Sequence, residues 1–266
     1  MPDTSSPQPP SWVRSMLYWE LAIVLALSLG RSAVYAVVAL IARLSDSQPL
    51  ASQRASLNTT IAARPALDLI YQLLAIGFAL VPLALVIFLL VREAGGKARP
   101  LHRALTTLGF HTSGPLGNTL AGIGLAALIG IPGLGFYLLG RQLGITVHVS
   151  AADLGSYWWT IPVLILAAIK NALIEEVIAV SYLAERLNQL GYQPRVRIAA
   201  SALLRGSYHL YQGFGAGIGN VVMGVIFAGY YQRTGRIWPL IIAHSLIDVV
   251  AFVGYAYASD ALLALL

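Results

Sequence analysis

The chain has no cysteine. That excludes a disulfide framework, a thiolate nucleophile and a cysteine zinc site, and it leaves His and carboxylates to bind any metal. Charge is nearly as scarce: only 11% of the 266 residues are Asp, Glu, Lys or Arg, where a soluble domain carries roughly a quarter. The GxGxxG spacing that follows a strand in nucleotide-binding folds is missing, because the glycines of 117–139 and 213–219 fall at other intervals. No His-Glu-x-x-His pair and no Ser in a nucleophile elbow occurs, which excludes the soluble zincin and serine-hydrolase plans. Lys and Arg outnumber acids 17 to 11, but they lie between apolar runs without interleaved aromatics, so nucleic acid is excluded as a partner.

What is present is apolar: 58% of residues are hydrophobic, in runs long enough to cross a bilayer at roughly 1.5 Å per residue. The pattern predicts an all-α, polytopic membrane helix bundle of about seven to eight transmembrane helices. Residues 1–18 read as a disordered, Pro- and Ser-rich tail, and 19–266 as a single transmembrane domain. Spans are expected at about Glu20–Ala42, Ala66–Val91 and Gly117–Leu139. A fourth should run from the aromatics Tyr157-Trp158-Trp159 to Arg186. Three more follow at about Arg197–Tyr211, Gly217–Gln232 and from Trp238 onward, and a break near Gly254 would make an eighth. Leu101, Ala104, Leu105 and Leu108 recur at helical spacing in the densest cationic loop, which predicts a short interfacial helix.

With the N-terminus inside, the inner segments hold ten Lys and Arg residues and the outer segments four, Arg43, Arg54, Arg64 and Arg141. This favours an integral protein of the bacterial plasma membrane with its N-terminus in the cytoplasm. Glu175 then lies 11 residues from Arg186, His209 12 from Arg197 and His244 8 from Arg236. All three polar groups are expected roughly 12–18 Å from the cytoplasmic edge.

Ionisable residues at such depth are expensive and mark function. The spans between Lys170 and Asp248 carry Asn171, Glu175, Glu176, Arg205, His209, His244 and Asp248. Residues four apart share a helix face, so Asn171 with Glu175, Arg205 with His209 and His244 with Asp248 form expected local pairs. Glu175 and Glu176 point about 100° apart and cannot do the same job. A carboxylate in a low-dielectric cavity can act as general base on water, while imidazoles orient that water, donate to an oxyanion or ligate a metal.

Glu175-Glu176 within a membrane helix, His209 on the next and His244-x-x-x-Asp248 on a later one resemble the three motifs of the CPBP intramembrane proteases. That family includes the type II CAAX prenyl endopeptidases, or Ras-converting enzymes, and bacterial relatives. The resemblance spans about Leu164 to Val253, inside a protease-like core at about 157–255. It implies an intramembrane endopeptidase acting near the cytoplasmic face on membrane-tethered peptide or protein substrates, CAAX-like or other. Glu175 would be the base, Glu176 the accompanying acid, and Asp248 would stand where Asn or Asp is usual. His209 and His244 would bind the water, or, with Glu175, a divalent metal such as zinc; a metal-free glutamate mechanism uses the same residues. The family usually has Phe-Arg-Gly after the glutamate pair, where this chain has Ala179-Val180-Ser181, and an aromatic where it has Arg205. Arg205 is therefore expected to supply the missing cation to Glu176 or Glu175, with Asn171 as a further support. The alternative is a non-catalytic membrane scaffold, or an immunity or partner-stabilising protein of the same fold.

Overall fold

The computed structural model describes residues 10–257, which fold almost wholly as helices. The first nine residues of the expected tail lie outside the described residues. From Ser11 onward the chain is helical, so residues 11–18 of the expected tail belong to a helix.

The first expected span is two helices, α1 (Ser11–Ala26) and α2 (Leu29–Leu44), bent by 56° at Leu27 and Ser28. Arg31, just past the bend, lies over the ring of Tyr35 at 5.4 Å. The second comprises α3 (Pro65–Ala79) and α4 (Val81–Ala94), interrupted only at Leu80. Pro82 lacks the N–H that would bond back across that junction. The predicted interfacial helix is α5 (Pro100–Thr107), and α6 (Pro115–Gln142) continues through Pro132.

The fourth span is one rod in three parts: α7 (Thr160–Ile174), a π-helical segment (Glu175–Tyr182) and α8 (Leu183–Gln189). The chain then forms α9 (Pro194–Tyr208), α10 (Phe214–Thr234) and α11 (Trp238–Tyr257). Because α11 runs unbroken through Gly254, the eighth span expected from a break there is not formed among the described residues. Among the described residues four helical stretches are long and apolar enough to cross a membrane, α3–α4 counted as one, or five if the bent α1–α2 pair is one span. The rod α7–α8 and helix α9 complete the bundle, but their chemistry-bearing residues make them less apolar. The protein is an integral membrane protein.

Between α9 and α10 the backbones approach closely. A Cβ on Gly224 would sit 2.6 Å from Ala202 Cα, and one on Gly206 2.9 Å from the Gly217 carbonyl. Small residues permit this contact where no water is available to drive helices together.

The two ends of the bundle differ. At one end Ile237 N–H donates to the Gly109 carbonyl at 3.1 Å, and Arg236 donates to Asn118 Oδ1 at 3.0 Å. At the other, the loops after α2 and α6 add two short parallel strands, β1 (Arg54–Ser56) and β2 (His148–Ser150), that the sequence did not announce. Thr146 bridges to Gly213 beside them, which places the α9–α10 turn at this same ribbon end.

Near the first end, Arg186 is 1% exposed and paired with Glu20 of α1 at 2.6 Å and Glu93 of α4 at 2.5 Å. Tyr182 adds a hydroxyl donated to Glu20 at 2.5 Å. Removing the cation leaves two carboxylates with their partner gone, so Arg186→Met is expected to destabilise the fold by about 3–5 kcal/mol. Thermal unfolding in detergent measures this, and an unchanged midpoint would dismiss the three-helix clamp.

Candidate active site

The π segment begins at Glu175. Its wider turn shifts side chains off α-helical spacing, and such segments occur frequently at functional sites. Here it separates the two glutamates as the roughly 100° rule anticipates. Glu175 lines a large, partly open cavity with its side chain 14% exposed, while Glu176 is fully buried behind it.

Arg205 of α9 joins them. Its Nη2 lies 2.5 Å from Glu176 Oε1, its Nη1 lies 3.4 Å from Glu175 Oε2, and its guanidinium sits over the Phe227 ring at 5.4 Å. The cation therefore stands where the sequence departure required one, across the interface from the buried Val180.

Glu176 Oε1 also accepts from His244 Nδ1 at 2.6 Å. That bond turns His244 Nε2 towards Glu175 Oε2 and Asp248 Oδ2, 3.9 and 3.7 Å away. Asp248 is held in turn by Asn171 Nδ2, which donates to its Oδ2 at 3.3 Å. Asn171 thus pairs across α7 and α11 rather than with Glu175 on its own helix, because α11 brings the Asp248 carboxylate within its reach. Arg205 and His209 do pair along α9, but through the backbone: His209 Nδ1 donates to the Arg205 carbonyl at 3.0 Å. A carbonyl can only accept, so Nδ1 carries the proton and Nε2 is left to the cavity.

His209 lines the same cavity as Glu175 but is not in hydrogen-bond contact with it. Tyr208, its neighbour, is. The phenol donates to Glu175 Oε2 at 2.8 Å, and its ring lies 4.7 Å from the imidazole of His209. Sequence reasoning passed over Tyr208, although a phenol beside the motif histidine, at the level of the buried acids, was a signal. Lys170 was passed over too; it lines the cavity one position before Asn171. The cavity has a volume of about 1860 Å³, with Glu175, His209, His244 and Asp248 on its wall and apolar residues over most of the rest.

Residues 157–250 match the family model described as type II CAAX prenyl endopeptidase Rce1-like. The chain carries an Rce1-like domain. This domain runs from the aromatics before α7 to the middle of α11 and contains every residue of the network just described. Among curated proteins and among solved structures nothing matches the chain.

Of the set expected to hold a divalent ion, His244 Nε2 lies 3.9 Å from Glu175 Oε2, and His209 lines the same cavity. Among the described residues no three of His, Asp and Glu are arranged to hold a metal. Each histidine bonds through Nδ1 and keeps Nε2 towards the cavity, an arrangement that suits a bound water or a metal alike, while Glu175 Oε2 accepts from Tyr208 and Arg205.

Proposed function

We propose that the protein is an intramembrane endopeptidase that hydrolyses peptide bonds of membrane-associated substrates, with Glu175 as the base that activates water. The observation that carries this reading is the setting of Glu175. Its carboxylate lines an apolar cavity, Oε2 is fixed by Tyr208 and Arg205, and Oε1 makes neither contact. A base so placed has one oxygen oriented by the protein and one available to a water molecule.

In the reaction Glu175 accepts a proton from water as the water oxygen adds to the scissile carbonyl carbon. The proton then passes to the amine as the C–N bond breaks. His209 and His244 present Nε2 to the cavity, where they hold the water and, when protonated, donate to the oxyanion. Glu176, Arg205, Asn171 and Asp248 act one step back. They fix the orientation of His244 and the charge balance around Glu175, as buried polar networks do when their members are bonded to one another.

Reconstituted protein, incubated with a library of membrane-anchored peptides, tests the reading. Cleavage products should appear with wild type, and His209→Ala and His244→Ala should each lower the rate at least tenfold while inserting normally. Retention of wild-type cleavage by both variants would leave the imidazoles without a role and favour a scaffold.

No three of His, Asp and Glu among the described residues are arranged to hold a metal, and we assign catalysis to the carboxylate alone. Cleavage is accordingly expected to survive exhaustive chelation. Activity lost on chelation and restored by one divalent ion would show that the donors rearrange around a metal.

A further inference from the structure

Three guanidiniums gather at the ribbon end with no carboxylate among their partners. Of the chain's 17 Lys and Arg residues this end holds Arg43, Arg54, Arg64 and Arg141, and all but Arg64 converge on residues 51–54. Arg43, in the last turn of α2, donates to Gln53 Oε1 at 3.3 Å and to the Arg54 carbonyl at 3.1 Å. Arg141, in the last turn of α6, donates to the Ala51 carbonyl. Arg54 itself opens β1 and donates to Ser150 Oγ at 2.6 Å. Its partner across the ribbon is His148, whose imidazole is held below the ordinary histidine value by burial and then by Arg141 and Arg54. That imidazole is neutral at neutral pH, so the patch carries the charge of its three arginines.

Every acceptor in this group is neutral. Of the acids at this end, Asp46 accepts from Gln48 N–H and Asp68 from the N–H groups of Ile61 and Ala62. Among the described residues no ion pair reaches Arg43, Arg54 or Arg141. The fully enclosed guanidiniums are treated differently, since Arg186 meets Glu20 and Glu93, and Arg205 meets Glu175 and Glu176. At the ribbon the bonds just described use only a minority of the roughly five N–H groups each fork offers. Arg43 Nε is buried without a partner. The negative ends of α2 and α6 offset about half a charge each at Arg43 and Arg141, and none at Arg54. The patch lacks an anion.

Its position selects which anion. Arg43 and Arg141 stand where two apolar helices end, and Ile41, Leu44, Leu139 and Leu143 beside them are 59, 53, 48 and 63% exposed. In a membrane protein such a boundary lies at headgroup depth, with phosphates at the level of the arginines and acyl chains at the level of the leucines. We propose that the ribbon end is a binding site for an anionic phospholipid, its phosphate received by Arg43, Arg54 and Arg141 and its chains lying on the exposed apolar ends of α2 and α6. A guanidinium suits this role because its planar fork presents parallel N–H donors to phosphate oxygens. The bound phosphate supplies the countercharge that the loops after α2 and α6 do not provide, and the site is independent of the peptidase reading.

The absence of cysteine gives a local reporter. Ser52 is exposed within the converging segment, so Ser52→Cys carries an environment-sensitive fluorophore there alone. The labelled full-length protein in detergent is titrated with phosphatidylglycerol, phosphatidylcholine or inorganic phosphate. Phosphatidylglycerol should shift the emission at a concentration at least tenfold below phosphatidylcholine, whose own cation competes for its phosphate. Each basic residue beside an anionic lipid contributes about 1 kcal/mol, so Arg54→Gln should weaken the response about fivefold. Arg43→Gln and Arg141→Gln added to it should bring the loss to the order of a hundredfold. Arg54 is the exposed member, and its single variant keeps the test open should the triple variant fail to fold. Arg92→Gln with Lys97→Gln and Arg99→Gln removes as much charge from the other end and should leave the titration unchanged. Equal responses to the two lipids, a wild-type response from Arg54→Gln, or an equal loss from the other-end variant would each overturn the proposal. Inorganic phosphate acting at the same concentration as phosphatidylglycerol would make free phosphate the ligand and overturn the lipid assignment.

Discussion

Glu175→Gln is expected to lower the turnover of a confirmed substrate by roughly 10²–10⁴-fold, the range a positioned general base contributes. The substitution keeps the size of the side chain. Its amide oxygen can still accept from Tyr208, so the fold should be retained while the proton acceptor is lost. The loss should fall on kcat more than on KM, because the carboxylate acts on water in the transition state and not on the substrate's anchor. Glu176→Gln provides the contrast. Glu176 is shut away from the cavity and bonded to Arg205 and His244, so its loss should lower stability as well as activity. A Glu175→Gln protein that inserts, folds and cleaves at the wild-type rate would remove Glu175 from the mechanism.

Arg205→Leu should be the most destabilising substitution in the site. The guanidinium is fully buried and is the cation shared by Glu176 and Glu175. Breaking a buried pair by deleting one partner costs about 3–5 kcal/mol, since the remaining charge stays behind without compensation. The midpoint of thermal unfolding should fall, and cleavage should fall with it because Glu175 Oε2 loses a donor. Adding Val180→Arg to Arg205→Leu should restore part of both, by returning a cation from the π segment to the face of Glu176. Recovery tests positioning specifically. A structural role for bulk alone would let Arg205→Met retain both stability and activity, and that result would dismiss the charge argument.

The network shows why one acid needed the structure to be understood and the other did not. Two adjacent glutamates in an apolar run announce a site, and the angle between successive residues separates their roles. Which glutamate faces the cavity is a matter of packing. Glu176 is enclosed because α9 and α11 press Arg205 and His244 onto it from two sides, and both contacts join residues far apart in the chain. The same holds for Asn171. Periodicity assigned it to Glu175 on its own helix, whereas the approach of α11 hands it to Asp248. Tyr208 carried no periodic signal at all, and only the crossing of α9 over the π segment reveals its bond to Glu175.

By itself the sequence determined that the chain is a membrane bundle, because an apolar composition with almost no charge admits few other folds. It also determined which helices carry the chemistry, because acids and imidazoles at bilayer depth are too costly to be incidental. It offered Arg205 as a cation for the glutamate pair, since a buried glutamate requires a partner, and the structure sets that guanidinium on Glu176. The tertiary structure alone decided the breaks at Leu27 and Leu80, the π segment and the cavity that Glu175 lines. These depend on how helices distant in sequence lean on one another. Local periodicity records which face of a helix is apolar, but it does not record which neighbour that face meets or where the packing leaves a void.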